Sequence, residues 1–111
     1  MNREECLNQA KECVTKHRQN TYGSPEDNFN RIAKLWDAYL DLPYKITAVD
    51  VAVMLALLKV ARIGSGNSHA DNWVDLAGYA ACGCELQTMQ EQVKNCDNPW
   101  LDKLVMQKVG E

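Results

Sequence analysis

The sequence predicts an all-α protein: an antiparallel helix bundle of four main helices plus a short C-terminal helix. Three observations carry that prediction. Apolar residues recur at spacings of three and four through most of the chain, helix-start signatures stand at Ser24, Thr47 and Ser68, and no stretch alternates as a strand would. At 111 residues the chain has the size of a single domain, residues 1–111.

The first helix is expected from about Asn2 to Gln19. Cys6, Ala10, Cys13, Val14 and His17 form a weak apolar stripe there, suited to covering a core rather than forming it. Tyr22-Gly23 breaks the pattern. The second start is clearer, because Ser24 can cap, Pro25 suits the first helical position, and Glu26 and Asp27 complement the positive helix end. Phe29, Ile32, Ala33, Trp36, Tyr39 and Leu40 then mark an amphipathic helix that runs to about Asp41 and stops before Pro43.

Thr47 and Asp50 fit a capping box opening the third helix, so Asp50 is assigned to capping rather than chemistry. From Val49 to Ile63 that helix is apolar nearly all round, which predicts a place in the middle of the bundle. Ser68 and Asp71 repeat the capping signature before a fourth helix, expected from Ala70 to Val93. Its middle, AGYAACGCE, is rich in small residues that permit close approach of a neighbouring helix or of a ligand. Gly78 and Gly83 each cost roughly 1 kcal/mol there relative to alanine. Pro99 starts a short last helix whose Trp100, Leu101, Leu104, Val105 and Val109 need a partner, either the bundle or a second subunit. From that stripe a homodimer or a higher homo-oligomer is expected.

Composition narrows the function classes. Twelve Lys and Arg against fifteen Asp and Glu give a net charge of −3 with no basic stripe, so a nucleic-acid polymer is not an expected partner. No segment has the ~18 apolar residues of a membrane span. The opening MNREECLNQAKEC has no apolar run of the kind a signal peptide needs. Five cysteines, an odd number without regular pairing, read as small apolar packers in a reducing, cytoplasmic setting. No Ser-His-Asp or Cys-His arrangement and no glycine-rich phosphate loop is present.

Short connections make helices two, three and four antiparallel neighbours, which brings three polar groups to one end of the bundle. These are Tyr22, Glu26, Asp27 and Asn28; Lys59 and Arg62; and His69, Asp71, Asn72 and Asp75. Asp71 and Asp75, four apart, repel each other by a few tenths of a kcal/mol and call for a cation. Mg²⁺ held by their oxygens, with Glu26 or Asp27 adding a carboxylate, is one solution. Ion pairing to Lys59 or Arg62, in a polar network that closes the bundle end, is the other. Trp73 and Tyr79 read as core residues, and His69 equally as a solvated loop residue or as a ligand.

The blocks YGSPEDNFNRIAKLW, ITAVDVAVMLALLKVARI and HADNWVDLAGYAACGCE, in that order over residues 18 to 88, resemble a family of small phage and prophage proteins. That family is similar, more distantly, to the all-α, MazG-like nucleotide pyrophosphohydrolases, which use Mg²⁺ to release pyrophosphate and a nucleoside monophosphate. The resemblance implies Mg²⁺ on Glu26, Asp71 and Asp75, with Asp27 a weaker candidate. With the polar residues gathered at the bundle end, the first hypothesis makes Lys59 and Arg62 the catalytic cations that neutralise phosphate charge, with Tyr22, Asn28 and Asn72 orienting the nucleotide beside them. The similar enzymes carry Glu-x-x-Glu and then Glu-x-x-Asp; here Asn72-x-x-Asp75 matches the second element and nothing cleanly matches the first. A non-catalytic protein that sequesters a nucleotide signal in the same pocket therefore stands as the alternative, with the host bacterial cytoplasm as its place if phage-encoded. A purely structural or partner-binding helical protein is a third.

Overall fold

In a computed structural model the chain is all helical, described over residues 1–17, 23–66 and 69–93. Helix α1 spans Arg3–Glu12, α2 Pro25–Leu40, α3 Ala48–Gly64 and α4 Ala70–Val93, and no strand occurs among the described residues. The expected short C-terminal helix and its Trp100 stripe lie outside the described residues, as do Gln19, Ser68 and Cys96.

Local chemistry sets the helix starts. Asn2 caps α1 by accepting from the Glu5 amide, and Ser24 caps α2 by accepting from the Asp27 amide at 3.2 Å. Thr47 and Asp50 form the full capping box of α3: Thr47 N–H donates to Asp50 Oδ2 at 2.9 Å and Asp50 N–H to Thr47 Oγ1 at 3.2 Å. At the other end of α2, Asp41 takes the left-handed conformation, with φ of 49°, and closes the helix.

The α-helical hydrogen bonding of α1 gives way to a π turn over Cys13–His17. A π turn inserts one extra residue and rotates everything after it. Val14 therefore packs against the core while Cys13, expected on the inward stripe, is exposed. The other cysteines divide in the same manner. Cys82 is buried and Cys6 half-buried, whereas Cys84 is exposed, so two of the five expected packers face water.

Three helix pairings build the bundle, with α4 against α3 the most extensive, α1 laid on α4, and α2 on α3. Ala52 approaches Gly83 while Lys59 meets Asp75, so α3 and α4 run antiparallel. The small residues of α4 serve helix approach: a Cβ added to Gly78 would stand 3.0 Å from Val14 Cγ1, and one added to Gly83 would stand 3.4 Å from Ala52 Cβ. The core joins Phe29 and Ala33 of α2, Ile46, Ala48, Val51 and Ala52 of α3 and its approach, and Cys82 and Leu86 of α4.

One expectation is corrected. Helix α3 is not enclosed, because α2 and α4 cover one side only. Val53, Met54, Leu57, Leu58 and Val60 are exposed on the other. No described helix is long and apolar enough to cross a membrane.

Candidate functional site

The inward stripe of α3 runs Ala48, Ala52, Leu55 and then Lys59, spacings of four, three and four that hold one side of a helix. Lys59 thereby enters the interior near the C-terminal end of α3, where its side chain is only 10% exposed. Across from it, Asp75 of α4 places Oδ2 2.8 Å from Lys59 Nζ. This is the sole ion pair among the described residues. Of the two cations expected to answer the acidic pair, Lys59 is the one that does so.

Asn72 stands one turn before Asp75 on α4 and is buried; its amide N–H donates to the His69 carbonyl at 3.1 Å, tightening the first turn. Asp71, Arg62 and His69 are exposed close by in sequence. Arg62 is exposed one turn beyond Lys59 and makes no ion pair among the described residues. The end of the bundle thus holds one buried cation paired with one carboxylate, one exposed cation and the buried Asn72.

The start of α2 contributes less than expected. Pro25 is buried and lines a cavity of about 280 Å³ together with Ala77, Ala81 and Cys82 of α4, and Phe29 meets Tyr79 with ring centroids 6.4 Å apart. These contacts set the first turn of α2 against the middle of α4, deeper than Asp75. Glu26 and Asp27 are exposed there and Asn28 is half-buried. Among the described residues no three of His, Cys, Asp and Glu come close enough to hold a metal ion, so Glu26, Asp71 and Asp75 are not gathered into one set. Tyr22 lies outside the described residues.

Tyr79 joins the core margin as expected. Trp73 does not: it is 55% exposed, because Asn72 and Val74 on either side of it take the buried positions of that turn. Two features have no counterpart in the sequence reading. Asp37 of α2 accepts the Ile46 amide through Oδ1 at 3.0 Å, tying down the approach to α3. An open groove of about 520 Å³ runs between α3 and α4, lined by Val53, Leu57 and Val60 on one wall and Ala80, Cys84 and Gln87 on the other.

A family model described as "Domain of unknown function (DUF6378)" matches residues 5–87, a span that includes every candidate site residue named above. The chain is similar to the Gene 55 protein of Mycobacterium phage D29, 35% identical over 97 residues, 87% of this chain and 62% of that protein. It is also similar to the Gene 55 protein of Mycobacterium phage L5, 40% identical over 86 residues, 78% of this chain and 54% of that protein. The chain therefore spans less than two thirds of the length of either relative. No solved structure matches it.

Proposed function

The chain belongs to the DUF6378 family, which links it to phage proteins, and from that premise we propose that it binds the phosphates of a nucleotide at the Lys59 end of the bundle, without catalysis. One observation carries the reading: a lysine nine-tenths buried and balanced by a single carboxylate. Replacing such a pair by packed apolar residues is often neutral or stabilising, by roughly 1–4 kcal/mol. Stability alone is thus a weak reason for a lysine at the fourth position of an otherwise apolar stripe.

A phosphate oxygen can take the place of Asp75 at Lys59 Nζ, or share the cation with it. Arg62, one turn away, presents a planar fork suited to two phosphate oxygens. Asn28, half-buried at the start of α2, has an amide of the kind that selects a base or sugar. The more distant similarity of the phage family to nucleotide pyrophosphohydrolases is the ground for choosing a nucleotide over other phosphates.

Hydrolysis is the second reading, favoured by Asp71 and Asp75 four apart on α4. Glu26, Asp71 and Asp75 do not fit a three-carboxylate Mg²⁺ site in this arrangement, and Asp75 is engaged by Lys59.

The test is a panel of nucleoside mono-, di- and triphosphates, with and without Mg²⁺, read by calorimetric titration and by release of pyrophosphate. Binding that needs no Mg²⁺ and disappears in Lys59→Met is the expected outcome. Turnover that needs Mg²⁺ and is lost in Asp71→Asn would establish the second reading instead. Absence of both binding and turnover across the panel would overturn the two together.

A further inference from the structure

We propose that Asp75 is a built-in competitor at Lys59: its carboxylate holds the place of a phosphate oxygen and yields it to a terminal phosphate carrying close to two charges. This role rests on the phosphate reading of the same site. Asp75 Oδ2 stands 2.8 Å from Lys59 Nζ, the length of the charge-assisted hydrogen bond that a phosphate oxygen would make there. Of the two side chains the carboxylate is the one that meets water, 39% exposed against 10% for Lys59. Asp37 and Asp50 are tied to backbone amides, whereas Asp75 is held by Lys59 alone among the described residues. A carboxylate held at one point and open to solvent can turn away by rotation about its own side-chain bonds, with α4 unmoved.

The exchange favours one class of ligand. Lys59 and Arg62 are three residues apart on α3 and therefore neighbours on its surface. Asp75 answers the first cation, while the exposed Arg62 has no ion pair among the described residues. A phosphate monoester, with a charge of about −1.5 to −2 near pH 7, matches the two cations together. A phosphodiester brings about one charge, no more than the carboxylate it must displace, and gains little by the exchange. Nucleotides are thus taken by a terminal phosphate, and anions whose phosphates are all diesters are turned away. In the free protein the pairing spares Lys59 from standing as a bare buried ammonium. The same pairing weakens every ligand by the factor by which the closed state outweighs the open one.

Calorimetric titration without Mg²⁺ of wild type, Asp75→Asn and Asp71→Asn tests the exchange, at a temperature where far-UV circular dichroism shows each protein folded. The probes are the nucleotide of the mono-, di- and triphosphate panel that binds most tightly, and the same nucleotide with one methyl on its terminal phosphate. Asp75→Asn should bind the nucleotide at least about tenfold more tightly than wild type, although it is the less stable protein. Asp71 is exposed one turn earlier on α4. Asp71→Asn removes the same charge without freeing Lys59 and should change the affinity only about twofold. Wild type should bind the methyl ester at least about tenfold more weakly than its parent, a comparison that stands even if Asp75→Asn does not fold. Equal or weaker binding by Asp75→Asn, a gain matched by Asp71→Asn, or a methyl ester bound by wild type as well as its parent overturns the competitor role and leaves the phosphate site in place. No binding by either wild type or Asp75→Asn, or binding that survives Lys59→Met, overturns the phosphate reading and the competitor role with it.

Discussion

Asp75→Asn removes one charge and almost no volume, and the structure sets the size of its effect. At 2.8 Å and an effective dielectric of about 20, the Lys59–Asp75 attraction is roughly 6 kcal/mol before desolvation is subtracted. Desolvation of the buried ammonium, several kcal/mol, cancels most of that, so the intact pair stabilises the fold only slightly. Loss of one partner is different, because Lys59 stays buried and its charge is left unbalanced. Uncompensated buried charges cost about 3–5 kcal/mol. Asp75 is 39% exposed, so water can reach the vacated position, and we discount the loss to about 2–3 kcal/mol. For a chain of this size that lowers Tm by roughly 10–15 °C. Lys59→Met should cost less, about 1 kcal/mol or under, since the carboxylate it leaves behind is hydrated and the methionine chain fills the same space. Thermal unfolding of both variants, followed by circular dichroism without nucleotide or Mg²⁺, reads the two losses directly. The asymmetry is the signature. An Asp75→Asn protein as stable as wild type, or one more stable than Lys59→Met, would refute the buried-cation reasoning and reopen Asp75 as a metal ligand whose charge is otherwise a burden.

Two further substitutions probe how the helices are held. Gly83→Ala should raise stability by about 0.5–1 kcal/mol, since its new Cβ meets Ala52 at an ordinary 3.4 Å and the helix gains propensity. Gly78→Ala meets Val14 Cγ1 at 3.0 Å, and crowding of about 1–3 kcal/mol should cancel or exceed the same gain. Thermal melts that rank Gly78→Ala at or above Gly83→Ala would contradict the close approach of the π turn after α1 to α4. Asp37→Ala strands the Ile46 amide in a half-buried connection and should cost about 1–2 kcal/mol in denaturant unfolding, with no measurable loss counting against the tether.

The helix starts were legible because their causes lie within four residues of one another. The Ser24 hydroxyl reaches the Asp27 amide and the Thr47–Asp50 box closes on itself, so no tertiary information is needed to find them. The packing of the small α4 residues was legible as one of two alternatives, and helix approach is the one realised. What escaped the sequence was rotation about the helix axes. A helix apolar on all sides carries no phase: in VDVAVMLALLKVARI the residues that face the core and those that face water have the same character. Lys59 is the exception that supplies the phase. A charge on such a helix belongs either outside or opposite a counter-charge, and its register with Ala48, Ala52 and Leu55 selects the second case. Once Lys59 is fixed inward, Val53, Leu57 and Val60 must face outward, so one side chain determines both the candidate phosphate site and the uncovered face. Cys13 escaped for a related reason, since a single π turn shifts phase without leaving a mark in the apolar pattern. The height of α2 escaped for another: the depth at which it meets α4 is set by the contact of Phe29 with Tyr79, and helix ends that look level in sequence can be offset by a turn or more when such an anchor sets the height. An offset of one turn, about 5.4 Å, is already greater than the separation of two carboxylates sharing one ion. The same ring pair, Phe29 with Tyr79, sets the first turns of α2 beside the middle of α4, away from the first turn of α4 where Asp71 stands.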